Sequence, residues 1–230
     1  MAFPATYQDI QNSVIAKLGL DSTNDLAKVK DWINQVYAEV CVQTEALQAC
    51  GTATLTANQA NYTMPSQILR IKSMAIQSSG QTDYGPPLRQ VSQDHMIQLR
   101  QNSGSTAVSS GSSTHYAIVG LNRFELWPTP VAADTIKVYY VYLPTALSAN
   151  SDVAVLQEPF SSKLLEYGAL AEGADFMRDP SESEYRQLYG FWMAKFKAHL
   201  NRRSGTLTPA TRIISAGGLI PHDPSTDLGD

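Results

Sequence analysis

The sequence is short of charge. Asp, Glu, Lys and Arg make up 17% of its 230 residues, against about 25% in an ordinary globular chain. Ser, Thr, Gln and Asn fill the gap, which gives a polar surface whose contacts depend little on salt. The net charge of −4 excludes the broad basic excess that nucleic-acid binding usually leaves. Cysteine is scarce as well, with only Cys41 and Cys50. Both fall in or at the end of one expected helix, which separates them by about 13 Å along the axis. A disulfide needs Cα atoms within about 7 Å, so two free thiols are expected, in keeping with synthesis in a reducing cytoplasm. No apolar run approaches the ~18 residues of a membrane span. The start, MAFPATYQDIQNSV, lacks the basic region and apolar core of a signal peptide.

Chemistry-bearing patterns are equally sparse. The histidines His95, His115, His199 and His222 form no HxH, HExxH or HxxxH arrangement, so no zinc site is legible. Glu166/Glu172 and Glu182/Glu184 have spacings that suit solvated helix faces. No serine lies in a GxSxG elbow or an SxxK setting. Gly217-Gly218 has neither the strand-to-helix context nor the trailing Lys of a phosphate loop. These absences argue against an enzyme and against a cofactor.

What the chain does contain is ordered, and it predicts an α+β fold. Tyr7, Ile10, Val14 and Leu18 recur at helical spacing over 6–18, and Gly19 stops the helix. A long helix is expected over 25–48, with Val29, Trp32/Ile33, Val36/Tyr37, Val40 and Thr44/Leu47 in one stripe and Gly51 ending it. A β-region over 52–148 follows. In it 52–56 and 62–64 flank a hairpin-like turn, Ala57 to Asn61. The segment 68–77 alternates only in part, which suggests a bulge. Ser92 caps a short helix over 92–100. The segment 101–114, QNSGSTAVSSGSST, is too polar to fix itself. Tyr116 to Leu147 reads as a hairpin and a longer strand, pure scaffold, expected to fix two closing helices over 159–177 and 180–203. The second of these opens with Asp179-Pro180-Ser181-Glu182, a cap, a first-turn proline and a Glu at the third helical position. It ends in Lys195, Lys197, His199, Arg202 and Arg203, which complement the helix dipole.

Residues 205–230 carry Pro209, Pro221 and Pro224 with several glycines, which exclude a regular helix. Leu207, Ile213, Ile214, Leu219 and Ile220 are nonetheless too apolar for a solvating tail. The segment suits an extended course on another surface, adding a strand or filling grooves. Packing back on its own domain is the alternative. The organisation expected is therefore one main domain over 1–204, a bundle of about four helices with a small, mostly antiparallel β-insertion, followed by an extended tail over 205–230.

The order of these pieces, with VKDWINQVYAEV, TATLTANQANYTMPSQILRIKSM, HYAIVGLNRFELWPTP and YYVYLPTALSANSDVAVL, resembles the head-to-tail adaptor (connector) proteins of tailed bacteriophages, including the tail tubular protein A type. The resemblance covers roughly residues 6–200. It implies a structural virion protein at the head–tail junction, assembling as a ring, usually of twelve copies, beneath the portal. Such a ring gives the tail or nozzle proteins a platform and extends the channel through which DNA passes without sequence-specific binding. In the family a C-terminal extension often reaches the portal. On that basis Leu207, Ile213, Ile214, Leu219, Ile220 and Pro221 are expected at the portal surface, with Arg202, Arg203 and Arg212 at its rim. No membrane is implied. The competing readings are another tail component (tail tube, stopper or fibre attachment) and a virion-associated hydrolase.

Overall fold

The computed structural model of the chain describes residues 4–102 and 112–203. Its first helix, α1 (Tyr7–Leu18), begins where the sequence offers a reciprocal cap. Thr6 Oγ1 accepts from the Asp9 amide at 3.2 Å and the Asp9 carboxylate accepts from the Thr6 amide at 2.9 Å. Gly19, at φ +64°, ends it in the left-handed conformation that glycine adopts without a Cβ penalty. Next, α2 (Leu26–Thr44) buries Val29, Ile33, Val36, Tyr37, Val40 and Cys41, the stripe its periodicity predicts. It stops earlier than the expected Gln48. Glu45 turns left-handed, and its amide bonds back to the Cys41 carbonyl. The chain enters β1 (Gln48–Thr54) at once. Cys50 therefore lies on a strand, while Cys41 is buried in α2, and both thiols are free.

The β-region folds as two sheets. β3 (Ile68–Gln77), β7 (Thr135–Tyr142) and β1 form one, in the order β1-β7-β3 and antiparallel throughout. β2 (Asn61–Thr63), β4 (Arg89–Gln90), β5 (His115–Val119) and β6 (Arg123–Trp127) form the other, in the order β2-β6-β5-β4. Only the β4–β5 pair is parallel. The register of β3 shifts between Ile68 and Arg70 and again between Ile71 and Ser73, the irregularity that its partial alternation foretold. The hairpin expected across Ala57–Asn61 is absent, because β1 and β2 diverge into different sheets. Between the sheets Met64, Ile71, Met74, Ile76, Phe124, Leu126 and Ile136 form an apolar core. On the β-region sits α3 (Gln93–Asn102), where Met96 packs with Ala117 and Trp127. The Ser92 hydroxyl accepts from the His95 amide at 3.2 Å, as expected of a cap. The polar run 101–114 falls largely on 103–111, outside the described residues.

Four helices make the second body of the fold. α4 (Phe160–Met177) is buried nearly all round, and α5 (Glu182–Arg203) buries only Met193 and Phe196. α5 starts two residues after Pro180. The Asp179 carboxylate accepts from the Ser181 amide at 2.8 Å and holds a turn before the helix. Close approach of α4 to α2 depends on Gly168, where an added Cβ would overlap Val36 Cγ1 and come within 3.2 Å of Tyr189. α4 packs on α1 and α2 and carries α5 against its other side, so the closing helices are not fixed mainly by the Tyr116–Leu147 stretch, as the sequence suggested. That stretch meets the helical core through Tyr142 and Leu147. Asn34 on α2 grips Leu147 at both backbone atoms, accepting from its amide at 2.8 Å and donating to its carbonyl at 3.0 Å. The Tyr37 hydroxyl accepts from the Val155 amide at 2.9 Å. The return from β7 to α4 is thereby tied to α2.

Candidate functional site

Arg202 and Arg203 are exposed on the last turn of α5. Arg203 donates to Gln157 Oε1 at 3.1 Å, and His199 Nε2 lies 3.0 Å from the same oxygen. Beside them is an open groove of about 380 Å³ lined by Leu47, Val155, Leu156, Phe196, Leu200 and Arg203. A second groove of about 530 Å³ adjoins it, sharing Leu200 and Arg203 and reaching Glu45, Gln48 and Lys72. Glu45 pairs there with Arg70 at 2.5 Å and Lys72 at 3.8 Å. The first groove has the buried Leu47, Leu156 and Phe196 beneath it and Arg203 at its edge, and its exposed lining is more polar than apolar. Sequence reasoning expected Arg202 and Arg203 at a portal rim and did not foresee the groove beside them. Leu47, Leu156 and Leu200 come from three distant segments and share no period. Leu207, Arg212, Ile213, Ile214, Leu219, Ile220 and Pro221 lie outside the described residues.

The titratable groups elsewhere serve the fold. Glu166 is the most buried charged residue among those described, with a side chain 2% exposed. Burial works to raise its carboxyl, but hydrogen bonds from Lys17 (2.7 Å) and Ser13 (2.5 Å) and the nearby Lys163 outweigh that, so it lies below its usual range. Burial pushes the Cys41 thiol up to about 12, far from the thiolate that a nucleophile requires. Burial, then the charges of Arg89 and His95, lower His115. Among the described residues no three His, Cys, Asp or Glu side chains could hold a metal ion. No helix there is long and apolar enough to cross a membrane.

The helical body leaves apolar side chains on its surface. Phe176 is 62% exposed and Phe191 52% exposed. Lys28 lies 5.0 Å from the Phe176 ring centre and Lys195 lies 4.1 Å from that of Phe191, so both rings carry a cation at their face. Leu121, at the tip of the β5–β6 turn, is 97% exposed.

Comparison with curated proteins returns no match. The sequence model of the SU10 adaptor protein family, in contrast, matches residues 5–214, nearly the whole described fold from α1 to the end of α5. On that match, which spans most of the sequence, the chain belongs to the SU10 adaptor protein family, a family of phage adaptor-type structural proteins.

Proposed function

We propose that this chain is the head-to-tail adaptor of a tailed-phage virion. In this reading it forms a ring of twelve copies that docks on the portal, offers a platform to the tail or nozzle proteins and continues the DNA channel. The observation that carries the reading is the family match over residues 5–214. The surface supports it. α5 is a long helix with two buried side chains and an outward Phe191, a face suited to contact with another subunit. A closed ring requires such heterologous, head-to-tail contacts.

Residues 205–230 make the portal contact in this proposal. Leu207, Ile213, Ile214, Leu219, Ile220 and Pro221 fill portal grooves, and Arg202, Arg203 and Arg212 meet its rim. Burying one aliphatic side chain contributes about 1.5–3 kcal/mol. Ordering the backbone costs about 1–2 kcal/mol per residue, so these anchors offset the ordering of only part of the segment. Repetition around a ring supplies the rest by multivalency.

The test is light scattering of the full chain alone and mixed with portal rings, with a chain lacking residues 205–230 in parallel. The full chain is expected to add mass to the portal ring and to cap it in electron micrographs, and the shortened chain to remain folded and fail to bind. Normal portal binding by the shortened chain would overturn the role of the tail. A full chain that binds tail proteins but leaves the portal bare would identify another tail component.

A further inference from the structure

β1 is an edge strand, last in the order β1-β7-β3, and its free side differs from the other sheet edges. The free side of β3 is covered, with the Gly85 amide bonded to the Ile76 carbonyl at 2.8 Å and the Leu88 amide to the Met74 carbonyl at 2.7 Å. β3 also carries two register shifts and the cations Arg70 and Lys72. β2 spans three residues and β4 two. Those are the ordinary ways of closing an edge. β1, QACGTAT, is seven residues long, with no charge, proline or register shift.

The pairing fixes which backbone groups remain open. Tyr142 N donates to Leu47 O and Leu55 N donates to Asp134 O. Pairs therefore alternate so that Ala49, Gly51 and Ala53 bond to β7, while Gln48, Cys50, Thr52 and Thr54 point their amides and carbonyls away from the sheet. Along this edge the two sheets part in a cleft of about 250 Å³, lined by Gly51, Ala53, Met64, Phe124, Ile136 and Val138. A strand laid on β1 would bond to the open groups and send every second side chain into that cleft. Edge pairing with an adjoining side-chain pocket is the geometry of strand addition.

We infer that β1 is the docking edge for a strand from this chain's own residues 205–216, with Ile213 or Ile214 seated in the cleft between the sheets. The place where the described helix ends selects this occupant. Arg203 lines the same groove as Gln48, the first residue of β1, so the last described residue lies near the start of the open edge. Ten residues reach at most about 36 Å, and β1 is about 24 Å long, so Ile213 and Ile214 can reach its full length. Thr211-Arg212-Ile213-Ile214-Ser215 is rich in β-branched residues and uncharged but for Arg212, which suits an edge strand. A portal that takes the same isoleucines would compete with β1 for them.

Amide hydrogen exchange by NMR on the full chain, compared with the full-length double variant Ile213→Asp, Ile214→Asp, tests this inference. The amides of Gln48, Cys50, Thr52 and Thr54 are expected to exchange at least tenfold faster in the variant. Those of Ala49, Gly51 and Ala53, bonded to β7, should not change. Equal rates at the four outward amides in both proteins would overturn the inference. So would protection that grows with protein concentration, which puts the strand on another copy. Portal capture is measured separately, so unchanged β1 exchange with lost capture removes this inference and leaves the proposed function standing.

Discussion

Glu166 shows how one buried charge ties two helices. Its carboxylate sits between Ser13 and Lys17 of α1 and Lys163 of its own helix, so it pins α1 to α4. Its pKa lies below the usual 4.5, hence its contribution is complete above that value and is lost as the pH falls through the folded pKa. Burial works to lower Lys17, but Glu166 raises it above the usual 10.5. The lysine's contribution is complete below that value and is lost as the pH rises through its folded pKa. The pair should therefore hold at full strength from about pH 5 to pH 10. Lys17 remains partly in water, so Glu166→Gln is expected to cost about 1–3 kcal/mol at pH 7. Urea unfolding at pH 7 and at pH 3 checks it. The gap between the two proteins should be wide at pH 7 and narrow at pH 3, and a gap independent of pH would remove the ion pair as its cause.

At the scale of elements, α2 and α4 are the axis of the helical body. The face of α2 was legible because one stripe at helical spacing carries Val29, Ile33, Val36 and Val40, all buried. α4 carries a stripe too, Phe160, Leu164, Tyr167, Leu170/Ala171 and Ala174, but its burial extends well beyond it. It is surrounded by α1, α2 and α5, so its small residues mark close approach rather than a face. Gly168→Ala would drive a methyl group into Val36, a stiff β-branched side chain. The expected cost is about 1–3 kcal/mol, seen as a Tm lower by roughly 2–4 °C per kcal/mol. An unchanged Tm would mean that the helices separate freely at this point. The end of α2 was misplaced for a related reason. Thr44 and Leu47 continue the apolar spacing, but Leu47 is buried from outside the helix, after Glu45 has already turned the chain.

For the whole molecule, self-association is the property the surface leaves open. Phe191 is expected to be a subunit contact in the proposed ring, so Phe191→Asp should lower the mass of the assembled protein in light scattering. Its effect on the stability of the protomer should stay within about 0.5 kcal/mol, as for surface positions. Retention of the full assembly would take this face of α5 out of the interface. The sequence by itself determined the α+β class, the stripe of α2, the Gly19 stop of α1 and the lack of a legible catalytic motif. Those features depend on neighbours within one or two turns of chain. Only the tertiary structure decided which strands share a sheet, that Asn34 holds Leu147, and that the start of β1 lies beside the end of α5. Each of these joins residues more than a hundred positions apart, or sorts strands that look alike locally. Local pattern carries no record of such pairings, because they are fixed by burial in a shared core and by backbone groups that must find partners.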